Sequence, residues 1–541
     1  MKTIKLYSAL VFLILIFQNS YSQPVVIQRQ NMNANNINAI FQNTGIFNQN
    51  TALQNQPGFE WPKGSGLHAI FTTGINLAAY VNGQFRMASG SFRGEYSPGI
   101  VSNGMYATNS TLKIYSIKAG DNASNNPDYA NWHLMIPYGA PYDDVNMNGA
   151  FEIDIDKPGV KNSGQTMFVS LTDANTFQHS TGEGFGGGTS PLFAQIAFIA
   201  FSFNTPGLEN AQFVVCHVIN KSNTSWDSLH FSIFCDPDLG DALDDYIGCD
   251  TIRQLGYCYN ADNNDADYGV APPAVGITLL RSMVNRSVSQ FDTLGMTSFV
   301  QTNNSSSVPC ENDPVGEQLG AYNLMKGYKK DMSPWINPTS GEQTKFVYSG
   351  DPATNNGWVE AKGSRQNCGG TSGTTIAVNP PGDRRFIMSS GAGNFKMSPN
   401  EKQTVIFAQH IARGSSNLNS VTRLKNESST IRSLFNLITL NFSVGINNIS
   451  SEIPNSFILN QNYPNPFNPA TKICFAIPKS DFVNLKVYDI TGKEISSLVN
   501  QQLQAGTYEV NFDASNLASG VYYYKLTSGN FSEVKKMMFV K

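Results

Sequence analysis

Short apolar runs separated by Gly, Asn and Pro recur along most of this chain, and this pattern limits its fold more than any other feature. Residues 68–73, 76–81 and 84–88 are three such runs, and they follow one another at the spacing of strands in a β-sandwich. Residues 194–203 are apolar almost throughout, which is typical of a central strand that is covered on both faces. The sequence therefore predicts an all-β fold with a β-sandwich body.

Two later segments refine this prediction. Residues 211–219 and 229–234 flank a short polar stretch, which predicts a β-hairpin. Residues 421–435 follow a helical rhythm of apolar positions, and either Asn419 or Ser420 can cap the helix at its start. We expect this late helix to be the only convincing helix of the body.

The length of 541 residues exceeds one ordinary hydrophobic core, so we expect several domains. We assign residues 23–445 to a β-rich body of one or two subdomains, with the division near 190–205, and residues 446–454 to a linker. Hydrophobic residues make up 40% of the chain and charged residues 14%, which favours a globular protein over a disordered one. A net charge of -4 leaves no basic surplus to neutralise phosphates, so we do not expect nucleic acid as a partner.

The N-terminus has the pattern of a Sec signal peptide. Two lysines precede an apolar run at 9–17, and the small residues Ser20 and Ser22 place the expected cleavage after residue 22. No later stretch reaches about 18 consecutive apolar residues, so no transmembrane segment is expected. Residues 1–22 are therefore predicted to be a signal peptide that sends the chain to the periplasm.

Seven cysteines would enter that oxidising space, and an odd number leaves at least one unpaired within the chain. Cys249 and Cys258 are close in sequence and are candidates for a short disulfide loop. Cys310 and Cys368 lie in loops rich in Gly, Asn and Pro and are the next candidates. Cys474 lies in an apolar run, where a small buried hydrophobic residue is the better interpretation. No CxxC pair occurs, which argues against a zinc site made of thiolates.

Residues 455–541 contain seven short strand patterns joined by tight turns, which predicts a small Ig-like antiparallel β-sandwich. This segment resembles the type A C-terminal sorting domain of the type IX secretion system of Bacteroidota-like bacteria. The residues that carry the resemblance are Tyr463-Pro-Asn-Pro-Phe-Asn-Pro, Leu485-Lys-Val-Tyr-Asp-Ile-Thr-Gly-Lys493, Gly506-Thr-Tyr, Leu517-Ala-Ser-Gly-Val-Tyr-Tyr523 and Lys535-Lys536.

The resemblance implies passage through the outer membrane by the type IX secretion machinery. It also implies removal of the tail, followed by attachment to surface lipopolysaccharide or by release. The alternative is an Ig-like module that stays in the mature protein. The body itself resembles large surface proteins that carry the same tail and have no known activity, in residues 60–66, 182–188, 236–250 and 411–414.

The strongest local signal for a ligand is a partial calcium loop. Oxygen-bearing side chains alternate along it and a Gly follows them, which matches the start of a loop that wraps a hard cation. Position twelve is Ile155 and not the bidentate Glu of an EF-hand, and no flanking helices are predicted. An Asx-rich turn at the tip of a hairpin is the alternative. The candidate ligands are Asp144, Asn146, Asn148, Glu152 and Asp154, with Asp156 as a substitute for Asp154.

A second acidic segment begins at residue 236. Its candidate metal ligands are Asp236, Asp238, Asp241, Asp244 and Asp245. So many carboxylates repel one another unless they are solvated, protonated or bridged by a cation. An exposed acidic loop without an ion is the alternative. A carboxylate pair within 236–267 would also suit glycoside hydrolysis, which needs two such groups at a set separation.

We therefore expect a protein that is secreted or attached to the outer-membrane surface. Its body is expected to be a structural or adhesive module stabilised by Ca2+, and we do not expect catalytic activity. A surface glycan or lipopolysaccharide is a candidate partner, besides the type IX machinery. The alternative function is a secreted hydrolase that acts on polysaccharide through the acidic pair.

Overall fold

The computed structural model describes residues 24–53, 56–146, 151–180, 184–285, 292–304, 309–363, 368–369, 379–438, 447–450, 454, 456–479, 481–503, 505–514 and 517–540. The signal peptide predicted at residues 1–22 and the candidate ligand Asn148 lie outside these described residues.

Strands are the main regular elements of the body, because its β-branched and aromatic residues recur in short runs that fit a pleated, half-buried surface. The strands gather into two large antiparallel sheets. In chain order they are β1 (Arg29–Met32), β2 (Asn38–Gln42), β3 (Ile46–Phe47), β4 (Phe59–Glu60), β5 (His68–Ile70), β6 (Thr72–Val81), β7 (Gln84–Ala88), β8 (Ser97–Pro98), β9 (Tyr115–Lys118), β10 (Gln165–Thr172), β11 (Ala194–Ser202), β12 (Ala211–Asn220), β13 (Trp226–Asp236), β14 (Asp245–Asp250), β15 (Leu255–Asn260), β16 (Ala274–Arg281), β17 (Ser298–Thr302), β18 (Arg385–Gly391), β19 (Lys396–Met397) and β20 (Lys402–Ala412).

The larger sheet has eleven strands in the order β17-β18-β13-β6-β3-β2-β4-β5, with β1 on β2, β7 on β6 and β19 on β13. The smaller sheet has nine strands in the order β8-β10-β11-β12-β20-β16-β15-β14, with β9 on β10. Short two-stranded ladders decorate the loops at Gln49–Asn50 with Gln56–Pro57, Ile100–Ser102 with Met105–Ala107, Tyr142–Asp143 with Lys157–Pro158, Asn264–Asp265 with Gly269–Val270, Val284–Asn285 with Asp292–Thr293, and Trp335–Ile336 with Gln343–Thr344.

The two sheets face each other across one apolar core, which makes the body a β-sandwich. Phe47 on β3 of the larger sheet packs against Phe198 on β11 and Phe407 on β20 of the smaller sheet, with ring centroids 6.2 and 6.1 Å apart. The side chain of Ile199, next to Phe198, belongs to a second core on the other face of the smaller sheet. The prediction of a central strand at 194–203, covered on both faces, is therefore confirmed.

The predicted hairpin between 211–219 and 229–234 is wrong. β12 lies between β11 and β20 in the smaller sheet, while β13 lies between β18 and β6 in the larger sheet. The polar segment that joins them carries the chain from one sheet to the other. β12 pairs with the preceding strand β11 and with the distant β20, and β13 pairs with β6 and β18, which are both far away in sequence. For the same reason the body does not divide near 190–205, since both sheets combine strands from before and after that position.

Three α-helices lie in the described part of the chain: α1 (Pro127–Ala130), α2 (Gln318–Met325) and α3 (Asn417–Ile438). The predicted late helix is confirmed by α3, whose Val421 and Leu424 pack against the smaller sheet. The expectation of a single helix is wrong, because the body also contains α2, which was not predicted. Six of the eight residues of α2 are buried, so it has no polar face to create a helical rhythm. No helix among the described residues is long and apolar enough to cross a membrane.

The tail forms the predicted β-sandwich, with two four-stranded sheets around their own core. Within 455–541 there are seven described strands, and an eighth, Asn447–Ser450, comes from the predicted linker and pairs with Gly506–Asp513. The tail strands are β21 (Asn447–Ser450), β22 (Ile458–Leu459), β23 (Ala470–Ile477), β24 (Asp481–Tyr488), β25 (Glu494–Leu503), β26 (Gly506–Asp513), β27 (Gly520–Ser528) and β28 (Phe531–Phe539).

Cys310 and Cys368 form a disulfide with an S–S distance of 2.07 Å. The pairing of Cys249 with Cys258 is not formed, and both thiols are free and buried. The register of β14 and β15 places Cys249 opposite Gly256 and Cys258 opposite Ile247. The two cysteines are thus diagonal neighbours, about 7–8 Å apart at Cα, which exceeds the reach of a disulfide.

Candidate functional site

The predicted calcium loop is closed by Asp156, which is buried. Its carboxylate oxygens accept hydrogen bonds from the backbone N–H groups of Val145 at 2.9 Å and Glu152 at 2.7 Å. The amide of Asn146 donates to a carboxylate oxygen of Glu152 at 2.5 Å, so two of the predicted ligands lie together. Asp154 is exposed. Asp156 therefore fixes the loop's backbone and is better suited to that role than to finishing a coordination shell.

The acidic segment that begins at residue 236 separates into two groups. Asp236 is the last residue of β13, and the antiparallel register sets Cys235 opposite Phe386 on β18. This pairing brings the end of β13 beside the residues that precede β18, among them Asp383. Carboxylate oxygens of Asp236, Asp238 and Asp383 lie within 4.8 Å of one another. We call these three residues, together with Asp313, the acidic cluster.

One guanidinium faces the acidic cluster. Nε of Arg385 lies 3.2 Å from Oδ1 of Asp236 and 3.5 Å from Oδ2 of Asp313, and its Nη1 lies 2.7 Å from Oδ1 of Asp383. Asp313 is held in place by Thr302 at the end of β17, whose hydroxyl donates to its Oδ1 at 2.6 Å. Four ionised carboxylates against one guanidinium would leave three uncompensated negative charges in a largely buried site.

Burial makes that excess charge unfavourable. It raises the pKa of Asp236 well above its ordinary value, although Arg385 opposes the rise. Burial and then the neighbouring Asp383 raise the pKa of Asp238 to about 7. Oδ1 of Asp236 has no hydrogen bond, although the side chain is fully buried. The acidic cluster therefore favours uptake of positive charge, as protons or as a cation with a preference for oxygen ligands.

Two of the three remaining predicted ligands of this segment have structural roles. Asp241 caps the short 3-10 turn Ala242–Asp244 by accepting from the backbone of Leu243 at 3.0 Å. Asp245 accepts from the backbone of Leu239 at 3.0 Å and is fully buried. Burial raises the pKa of Asp244 to about 6, with nearby carboxylates contributing to the rise. The structure therefore joins Asp236 and Asp238 in one site and leaves the other three outside it.

Three residues of the site were missed from the sequence: Asp313, Asp383 and Arg385. Each lies far from Asp236 along the chain, and only the pairing of β13 with β18 and of β17 with β18 brings them together. The local signal was an Asp two residues before an Arg in the run Pro380-Pro-Gly-Asp-Arg-Arg385, which is too common a pattern to indicate a metal site.

Comparison with solved structures gives a polysaccharide lyase at 6% sequence identity and a TM-score of 0.17. The match covers 64% of this chain and 34% of the lyase, so the chain spans about a third of the lyase's length. A similarity this low carries no argument about fold or activity. No curated protein matches the sequence.

The C-terminal segment gives a specific match. Residues 461–541 match the family described as the secretion system C-terminal sorting domain. The match covers the proline-rich run at 463–469 and the strands β23–β28, and it agrees with the separate eight-stranded sandwich of the tail. The tail of this chain is therefore a type IX secretion C-terminal sorting domain.

Proposed function

We propose that this protein is exported first to the periplasm by the Sec pathway and then across the outer membrane by the type IX secretion machinery. At the cell surface or after release, its body acts as a structural or adhesive module stabilised by Ca2+. The sorting domain supports the second export step. The proposal includes a surface glycan or lipopolysaccharide as the ligand of this module.

The acidic cluster is the observation that carries the calcium part of the proposal. Asp236, Asp238 and Asp383 offer hard oxygen ligands within 4.8 Å of one another, which is the donor type that Ca2+ prefers. A divalent cation would offset two of the three uncompensated negative charges. The site joins the ends of β13 and β18, so an ion there would tie two neighbouring strands of the larger sheet.

The loop at 144–156 is a second calcium candidate in this proposal. Its Asn146 and Glu152 are already together, and Asp144 lies two residues before Asn146. The support for this second site is weaker, because both carboxylate oxygens of Asp156 already accept hydrogen bonds from backbone N–H groups. The two sites are far enough apart in sequence to be tested by separate variants.

A thermal-unfolding titration of the full chain with CaCl2 and with EGTA tests the calcium claim. We expect Ca2+ to raise the melting temperature, since a ligand that binds the folded state stabilises it. The double variant Asp238→Asn with Asp383→Asn should lose that rise, while Asp144→Asn should report on the loop alone. Glu342→Gln, an exposed carboxylate outside both sites, is the matched control. Equal melting temperatures of the wild type in Ca2+ and EGTA would refute calcium stabilisation.

Deletion of residues 461–541 tests export in a bacterium that has type IX secretion. We expect the truncated chain to accumulate in the periplasm, with the full chain found at the surface or in the medium. Fractionation and immunoblotting measure the difference. Normal arrival of the truncated chain outside the cell would contradict the assigned role of the tail.

The alternative of a polysaccharide hydrolase is not favoured by the geometry. Such an enzyme needs two carboxylates that a polymer can reach. Asp236 and Asp245 are each only 1% exposed, and Asp241 and Asp245 are engaged in shaping the backbone around them.

A further inference from the structure

A group of lysines and aromatic rings lies on the larger sheet. Lys326 follows the end of α2, and Lys345 follows the short strand Gln343–Thr344. We call the lysine–aromatic surface the set Lys326, Lys345, Tyr80, Phe85, Tyr322 and Tyr328. Its members come from the β6–β7 hairpin, from α2, from the loop after α2 and from the position after the strand Gln343–Thr344.

Each lysine lies over the face of a ring. Nζ of Lys326 is 4.7 Å from the ring centroid of Tyr322, and Nζ of Lys345 is 5.3 Å from that of Tyr328. Gly327 allows the close approach of the two segments: a Cβ there would lie 2.8 Å from Cβ of Lys345, and its φ is +84°. Only glycine meets both demands at low cost.

Three of the rings, Tyr80, Phe85 and Tyr322, pack together, and the ammonium group of Lys326 lies over Tyr322. Tyr322 packs against Phe85 at 5.0 Å and Tyr80 at 5.9 Å between centroids, and Tyr80 packs against Phe85 at 5.7 Å. The hydroxyl of Tyr322 donates to the backbone oxygen of Ser228 at 2.6 Å. Tyr322 is buried and fixed, whereas Tyr80, Phe85 and Tyr328 remain partly open to solvent.

Neither lysine has a carboxylate partner among the described residues. The hydrogen-bond partner of Nζ of Lys326 is the thioether sulfur of Met332 at 3.1 Å, which is a poor acceptor. In contrast, Lys330 nearby is paired with Glu317 at 2.6 Å. Burial and then Lys345 lower the pKa of Lys326, and both lysines contribute to lowering the pKa of the buried His230. Two positive charges thus converge without an anion to balance them.

From this geometry we infer that the lysine–aromatic surface binds an acidic polysaccharide. A carboxylate or sulfate group of the glycan sits between Lys326 and Lys345, and a sugar ring packs its C–H-rich face against Tyr328 or Phe85. The acidic polysaccharide would be the ligand of the adhesive module proposed above. The inference rests on the proposed function in one respect, namely that the body lies outside the cell.

The size and charge of the surface favour a glycan over other anions. Nucleic acids and anionic membranes need broad basic surfaces, and this chain has a net charge of -4. Two cations beside partly open rings match instead one charged sugar unit. Aromatic faces beside charged groups also bind small polar ligands in the concave sites of other proteins.

Binding of the full chain to immobilised polygalacturonate, dextran sulfate and uncharged dextran tests the inference. We expect binding to polygalacturonate or dextran sulfate, weakened by salt, and none to uncharged dextran; the first two arms separate carboxylate from sulfate recognition. The double variant Lys326→Gln with Lys345→Gln should lower the affinity at least tenfold. The control pair Lys157→Gln with Lys493→Gln removes two exposed lysines elsewhere and should stay within twofold of wild type.

Two further variants guard against a trivial loss of folding. Lys326→Arg with Lys345→Arg keeps both charges and should keep most of the binding. Tyr328→Leu should weaken binding at least threefold at an unchanged melting temperature. Binding to neither acidic polymer would overturn the inference, as would equal losses in the two Gln pairs or binding to vesicles of phosphatidylglycerol in place of polysaccharide. Such a failure is distinct from that of the calcium proposal, which is read from the melting temperature in Ca2+ and EGTA.

Discussion

Replacing Asp238 by Asn tests the electrostatics of the acidic cluster. Burial and then Asp383 raise the pKa of Asp238 from its ordinary value of 3.8 to about 7. The folded protein therefore keeps a proton that the unfolded chain releases between about pH 4 and pH 7, so without a cation the stability falls as pH rises through this window. About three pKa units at about 1.4 kcal/mol each give a loss of about 4 kcal/mol.

Asn has no charge to bury, so the variant avoids this loss. In EGTA at pH 8 we expect Asp238→Asn to be more stable than the wild type, by up to about 4 kcal/mol. At pH 4 the carboxyl is protonated in the folded state and about half protonated in the unfolded chain, so the gain should nearly disappear. In saturating Ca2+ at pH 8 the order should reverse, because the variant lacks one ligand.

Urea unfolding followed by tryptophan fluorescence measures these differences. Glu342→Gln is the control, since that exposed carboxylate has no such cost to relieve. A wild type that is more stable than Asp238→Asn at pH 8 in EGTA, or a difference that does not change between pH 4 and pH 8, would refute the reasoning.

Two further predictions concern the framework of the body. Replacing Cys310 and Cys368 by Ser opens a loop of 58 residues, and the chain-entropy argument predicts a loss of about 4 kcal/mol in the free energy of unfolding; a loss below about 1 kcal/mol in urea unfolding would contradict it. Phe213→Ala should cost about 3–5 kcal/mol, because the Phe213 ring stacks on Phe201 at 5.1 Å and on Phe435 of α3 at 5.7 Å. Phe213→Leu should lower the free energy of unfolding clearly less in the same assay. Equal decreases for the two variants would show that ring packing is not the cause.

Local periodicity explains what could be predicted of the fold. The apolar runs that became β11 and β20, the rhythm of α3 and the strands of the tail all depend on neighbours within one segment. Strand pairing, in contrast, does not depend on neighbours within one segment alone. β12 and β13 are joined by a short polar segment, as in a hairpin, yet their buried faces belong to different sheets. β11 and the distant strand β20 occupy the two edges of β12, so β13 cannot pair with it in a hairpin.

The same distinction applies to the candidate site. Asp236 and Asp238 were predicted because carboxylates crowd together in one stretch of sequence. Asp313 and Asp383 were not, because register between distant strands brings them in. Asp241 shows the opposite error: it was assigned to a metal, although an Asp directly before a short helical turn is a good capping residue.

The position of β20 also sets the order in which the molecule can be completed. It lies between β12 and β16 in the smaller sheet, although it is the last strand of the body to be synthesised. Until residues 402–412 have been synthesised, both of those neighbours keep an open edge. Pairing over such sequence distances is slow, and open edges invite association with other chains. The smaller sheet therefore cannot be completed until nearly the whole length of the body is available for pairing.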